Sequence, residues 1–212
     1  WHGDHTGGNE SLGKTGSVIV AHDNVRARMS VEQVMEVFGR TVPASAPGAL
    51  PVVTFNDTVT FHLNGQTTHV FHVEHAHTDG DSIVHFEEAD VIHMGDVLFA
   101  GQFPFIDVGS GGSIDGVIAA CERVLGMATE TTKIIPGHGE LTDRAGLVKY
   151  RDMLVAVREA VAAQIHAGKD LAAIEEADPL APFAETWGVG FMKPPTFLKI
   201  VVSDLSRKPH DH

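Results

Sequence analysis

Short apolar runs that abut glycine-bearing polar loops recur along this chain, and they commit much of it to a sheet. Residues 82–86 and 91–94 are too short for buried helices and read as buried strands, the second closed by Gly95-Asp96. Residues 133–135 read as another strand, closed by the tight loop Pro136-Gly137-His138-Gly139. Each loop brings one polar side chain of a particular kind. His77 precedes one strand, Asp96 follows another and His138 follows a third. A strand end fixes a side chain better than a mobile loop does, so a rigid sheet commonly carries function there.

The rest of the chain reads as alternating strands and helices. Residues 52–73 are β: Val59, Phe61 and Leu63 alternate with Thr58, Thr60 and His62, and Asn64-Gly65 marks a hairpin. Upstream, residues 8–14 suggest a short helix and 17–21 a buried strand. Residues 23–38 suggest one helix with a break at Ser30, and 41–51 a loop. Downstream, Ser113 can cap a helix reaching to about Ala128, and Thr142 can cap a long helix over 143–167 that Gly168 ends. A short helix over 170–177 follows, and Pro194-Pro195 opens the last one. This order predicts an α/β (α+β) class, layered within one domain over residues 1–212.

Composition narrows the function. A formal net charge of −13 repels phosphate backbones, so nucleic acid is not an expected partner. There is no run of ~18 apolar residues, so no membrane span is expected. No signal-peptide pattern opens the chain, and the start within a motif suggests that residues upstream of Trp1 are missing. The single cysteine, Cys121, permits no internal disulfide and falls in a helical apolar pattern, as a small core residue would.

Fourteen histidines call for sorting. Trp1-His2-Gly3-Asp4-His5 packs two imidazoles and a carboxylate into four positions, and these are ligand types shared by zinc, iron and manganese. His77, Asp96 and His138 extend the set. His62, His69 and His72 read as ordinary strand residues of the hairpin. His93, His22 and His75 are candidates for supporting a ligand rather than being one. Asp79 and Asp81 are expected to cap the turn at Gly80. Phe103, Phe105 and Ile106 are expected near the mouth of a pocket, and His210 and His212 in a frayed tail.

In this order the motifs resemble the metallo-β-lactamase superfamily. The family motif His-x-His-x-Asp-His is matched at His2, Asp4 and His5 without its first histidine, which would lie just before Trp1. "AHTDGDS" supplies His77, "HMGDVLFAG" supplies Asp96 and "IPGHG" supplies His138. The resemblance implies a four-layered αββα sandwich whose N-terminal β segment is absent from this chain, leaving the C-terminal two-thirds. It implies that His2 and His77 hold one metal, that Asp4, His5 and His138 hold a second, and that Asp96 bridges them. Zinc is the first expectation, two ions per site, with iron or manganese as alternatives. The implied activity is hydrolysis of a small-molecule carbonyl compound (thioester, lactone, ester or β-lactam) by an activated hydroxide, with Asp4 orienting it and carrying the proton. A mononuclear iron enzyme like the persulfide dioxygenases, and a non-catalytic metal-binding fragment that needs its missing segment, are the alternatives. The resemblance further implies a bacterial origin, with the periplasm slightly favoured, and leaves a homo-oligomer open.

Overall fold

A computed structural model describes residues 1–207 of the chain. Helices α1 (Gly3–Thr6) and α2 (Asn9–Lys14) come first, then β1 (Val20–His22) and α3 (Asp23–Met29). Two short strands, β2 (Gln33–Met35) and β3 (Arg40–Val42), form an antiparallel hairpin. Then come β4 (Val53–Phe55), β5 (Thr58–Leu63), β6 (Gln66–His72), β7 (Ser82–Phe86) and β8 (Val91–Phe99). Helix α4 (Ile114–Leu125) crosses to β9 (Lys133–His138), and β10 (Thr142–Asp143) leads into the long α5 (Arg144–His166). Helices α6 (Leu171–Ala177), α7 (Ala181–Trp187) and α8 (Pro194–Leu205) close the described chain.

The main sheet has the order β10-β9-β8-β7-β6-β5 and is antiparallel except for β8 and β9. Helix α4 supplies the crossover that a parallel pair needs. The period-two alternation of β6 and β7 sends neighbouring side chains to opposite faces. Phe71 and Ile83 point into a core shared with α4 and α5, where Val117, Val124, Leu147, Leu154 and Val157 are fully buried. Val70 and Val84 face the other way and, with Val20 and Phe55, line the space between the sheet and the parallel pair β1–β4. Helix α3 packs outside that pair. The layers are therefore α3, β1–β4, the main sheet, and α4 with α5: an αββα sandwich, as the resemblance implied.

Local chemistry explains the elements. Asn64 and Gly65 both take positive φ, +55° and +73°, as a two-residue hairpin turn requires. Ser113 caps α4 by accepting from Gly116 N, and Cys121 is buried within that helix. The cap of α5 is Asp143 rather than Thr142: its carboxylate accepts from Gly146 N at 2.9 Å while Thr142 pairs in β10.

Other expectations are corrected. Residues 17–21 are mostly a connection, with Val18 65% exposed, because pairing with β4 starts only at Val20. Residues 23–38 are not one helix. Ser30 Oγ donates back to Arg26 O and the helix ends, after which Val34 pairs with Thr41 in the β2–β3 hairpin. That hairpin also replaces the start of the expected loop over 41–51. Helix α7 was not anticipated, because its apolar stripe is only seven residues long. His210 and His212 lie outside the described residues. No helix among the described residues is long and apolar enough to cross a membrane.

Two features carry expectations for stability. His22 Nδ1 accepts from Asn24 N at 3.2 Å, capping α3, and its ring stacks on His72 at 3.8 Å. Burial first, and then the neighbouring His72, hold His22 below the ordinary histidine range. The unfolded chain therefore binds this proton more readily than the native one. The stability that neutral His22 contributes is complete above the unfolded value, ~6.5, and is lost as pH falls below it. Denaturant titrations from pH 8 to 5 should show this loss, and it should be smaller in His22→Asn, which keeps a capping oxygen.

Gly116 is a case of forced small size. A Cβ there would collide with His75 O and the Glu74–His75 backbone. Ala in place of Gly normally stabilises a helix by about 1 kcal/mol. Here Gly116→Ala is expected to destabilise by about 1–3 kcal/mol through overpacking, read as a lower denaturation midpoint at unchanged slope.

Candidate metal centre

The N-terminal cluster is a helical turn rather than a loop. His2 is the extended N-cap of α1, with φ −65° and ψ 147°, while Asp4 and His5 lie inside the helix. The step from extended to helical backbone divides the cluster: His2 turns one way, Asp4 and His5 the other. His2 O anchors the turn by accepting from His5 N, Thr6 N and Thr6 Oγ1.

The other members arrive on the main sheet and its adjoining loop. Asp96 lies within β8, not after it. Gly95 at φ +53° interrupts the β8–β9 register and turns Asp96 toward the strand ends. His93 Nδ1 accepts from Gly95 N at 3.1 Å and so supports this irregularity. Burial first, and then nearby His5, hold His93 below the ordinary range. His138 ends β9, its ring stacked on Phe99 at 4.7 Å. Gly137 must be glycine, because a Cβ there would collide with Asp96 Oδ1 and the Gly95–Asp96 backbone.

All six sequence-predicted residues meet in space. They form two groups: His2, His77 and Asp96, all buried, and Asp4, His5, Asp96 and His138, which are more open. Asp96 belongs to both. Its Oδ1 lies 3.0 Å from His5 Nε2 and 3.4 Å from His138 Nε2, while its Oδ2 lies 3.7 Å from His77 Nε2. Asp4 Oδ2 stands 3.5 Å from His5 Nε2 and 3.4 Å from His138 Nε2.

These residues fit a divalent cation. Zinc–nitrogen bonds of ~2.0–2.1 Å in a tetrahedron place neighbouring ligands roughly 3.3 Å apart, and the spacings above bracket that value. Despite their closeness, His77 Nε2 and Asp96 Oδ1 are buried without a hydrogen-bond partner. His5 Nε2 stands 3.0 Å from Asp96 Oδ1 without a well-aligned hydrogen bond to it. Burial opposes ionisation of Asp96, but the surrounding His5, His77 and His138 outweigh it and hold the carboxyl below the ordinary aspartate range.

Two carboxylates that orient the buried ligands were missed or misread from sequence. His2 Nε2 donates to Asp107 Oδ2 at 3.0 Å, leaving Nδ1 for the site. Asp107 is itself buried and also accepts from Ser110 N. Nothing in the spacing signalled it, since it lies 105 residues away from His2. Asp81 caps the turn as expected, accepting from Thr78 N and Oγ1, but it also faces His77 Nδ1 at 3.4 Å. The i, i+4 spacing of His77 and Asp81 was a usable signal. Burial opposes ionisation of both carboxylates, and the histidine each one faces still keeps it ionised more readily than usual.

The remaining candidates take structural places. Asp79 pairs bidentately with Arg28, at 2.8 and 2.7 Å. His75, at φ +49°, donates from Nδ1 to Gly111 O and fastens the ligand loop. His22 caps α3 and does not reach the site. Phe105 does flank it, with its ring 5.6 Å from that of His2 and 5.8 Å from that of His77. Phe103 instead stacks on Phe197 in the core, and Ile106 is buried.

A family model described as the metallo-beta-lactamase superfamily matches residues 1–138, from the N-terminal cluster through the last histidine. The chain belongs to the metallo-beta-lactamase superfamily. Solved members resemble it at low identity. A metallo-beta-lactamase from Pontibacter korlensis shares 20% identity at a TM-score of 0.56, over 73% of this chain and 65% of that one. BLEG-1 B3 metallo-beta-lactamase shares 22% at 0.61, over 72% and 73%. TTHA1623, solved in a di-iron-bound form, shares 22% at 0.54, over 70% and 71%. Identities this low carry the fold alone. No significant match is found among curated protein sequences. The fold and the histidine–aspartate cluster together indicate divalent-metal binding by this chain.

Carboxylates that orient metal-bound histidines are typically worth 10–100-fold in affinity. Asp107→Asn is expected to weaken cation binding by about that factor in equilibrium dialysis with metal analysis. Asp115→Asn, at an exposed ion pair with Arg158, should leave it unchanged.

Proposed function

We propose that this chain is a metal-dependent hydrolase of small carbonyl compounds, with two cations held by the two residue groups that share Asp96. The observation that carries the reading is the shared carboxylate: one Asp96 oxygen faces His77 and the other faces His5 and His138. His2 and His77 would hold one ion and Asp4, His5 and His138 the other, with Asp96 between. Cations in such a pair lower the pKa of water and polarise a carbonyl oxygen, which supplies both a nucleophile and stabilisation of the developing negative charge.

The protein's own groups do the rest. Asp107 and Asp81 keep the His2 and His77 rings in the tautomer and orientation that aim a lone pair inward. The Asp4 side chain is 56% exposed against 7% for Asp96, so of the two carboxylates that line the cavity above, it is the more open. It can accept a hydrogen bond from attacking water and pass a proton to the leaving atom. Phe105 closes one side and excludes water from the buried group. The substrate is expected to be a small molecule rather than nucleic acid, given the net charge of −13 and a cavity of about 870 Å³ over the site.

Zinc is the first choice for an all-imidazole and carboxylate set, and manganese also suits it. The second reading is a mononuclear iron enzyme like the persulfide dioxygenases; the di-iron-bound form of TTHA1623 supports iron as a candidate metal for this fold. Metal analysis followed by a panel of thioesters, lactones, esters and β-lactams separates the two. Hydrolysis without oxygen uptake is expected, abolished by chelation, restored by added cation, and reduced in Asp96→Ala to the level of metal-free protein. Full turnover by metal-free protein would overturn the mechanism, and oxygen consumption with a persulfide would select the iron reading.

A further inference from the structure

The cavity over the metal centre has a wall and a charge that the hydrolase reading leaves unused. Phe105 stands against the His2 and His77 rings, Phe38 packs on Phe105 at 5.0 Å, and Phe191 packs on Phe38 at 5.8 Å. A row of aromatic rings thus runs from the buried ligands to the rim. Its outer members are unusually open for large apolar groups, Phe38 at 42% and Phe191 at 68%. The β2–β3 hairpin holds this wall in place. Met35 packs onto the core, and Arg40 is its cross-strand partner. Arg40 and Val42 stand two apart on β3, hence on one face, and both line the cavity.

The Arg40 side chain is exposed and has no hydrogen bond or ion pair among the described residues. Every other arginine among the described residues reaches a carboxylate or a backbone carbonyl. In a chain whose acidic residues exceed its basic ones by 13, Arg40 is the one described arginine whose guanidinium meets neither a carboxylate nor a backbone carbonyl, and it lines the cavity over the site. A guanidinium fork matches the two coplanar oxygens of a carboxylate. A phosphate dianion would meet one cation and, across the cavity, the exposed Asp4.

Resting on the hydrolase reading above, we propose that Arg40 and the Phe38/Phe191 pair define the substrate class: carbonyl compounds bearing an apolar, preferably aromatic, group that ends in a carboxylate. The rings receive the apolar part and Arg40 the terminal anion, which orients the carbonyl toward the metal centre.

Isothermal titration of the metal-loaded protein with 3-phenylpropanoate, 3-phenylpropanamide and 3-phenylpropyl phosphate tests this without turnover. The carboxylate is expected to bind at least tenfold tighter than the amide. Arg40→Gln should erase that preference and Arg40→Lys should restore part of it. Phe38→Ser should weaken carboxylate and amide by a similar factor. A preference that survives in Arg40→Gln would place the carboxylate elsewhere, on the cations themselves for example, and overturn the proposal. Tighter binding of the phosphate would overturn the carboxylate assignment. In turnover, 4-nitrophenyl hydrogen adipate should exceed 4-nitrophenyl hexanoate in kcat/KM, and the ratio should collapse in Arg40→Gln. Failure of all hydrolysis with the binding pattern intact would sink the hydrolase reading and leave the recognition site standing.

Discussion

One buried carboxylate organises this molecule. Asp96 is held at 9% exposure, among three imidazoles, with one oxygen that no hydrogen bond satisfies. A buried charge in that condition is costly unless it is paired or coordinated. The surrounding structure exists to hold it there. The left-handed Gly95 turns it out of strand β8, the missing side chain of Gly137 lets β9 pass alongside, and His93 props the irregular backbone. A side chain at Gly137 would take the carboxylate's place, and one at Gly95 would strain the left-handed backbone that aims it.

The site is asymmetric, and the asymmetry follows from the backbone. His2 and His77 lie on the sealed side, each backed by a carboxylate that fixes its ring. Asp4, His5 and His138 are the more open members: the side chains of His5 and His138 are each 40% exposed, and Asp4 and His138 line the cavity. A sealed group suits tight, structural retention of a cation, and an open group suits exchange of water and substrate.

Much of this was legible in the sequence, and the losses have physical causes. The ligand types stood at the ends of short apolar runs, and the structure brings all six together. Turn and cap chemistry was equally readable at Asn64-Gly65 and Ser113. What failed were segments whose local pattern tertiary contacts override. Residues 31–38 have helical spacing but pair as a hairpin, because Val34 finds Thr41 across the turn. Asp96 read as a loop residue because a glycine usually ends a strand, whereas here it bends one that continues. Asp107 could not be found, since its partnership with His2 is set wholly by the fold. The Phe103-Pro104-Phe105-Ile106 run looked uniform, yet only Phe105 faces the site, because Phe103 is taken up by Phe197.

The two helices that open the chain have a thermodynamic consequence. Neither α1 nor α2 contains a buried residue, although α1 carries Asp4 and His5 and is capped by His2. Little apolar burial offsets the conformational entropy of ordering this segment. In the metal-bound state proposed above, occupancy of the site would supply order that apolar burial does not, and part of the intrinsic cation affinity would be spent on folding this segment. Beyond His2, which is buried against Asp107, little packing would resist local opening of this segment before global unfolding. Release of a cation and fraying of the first helical turn would then be two descriptions of a single equilibrium.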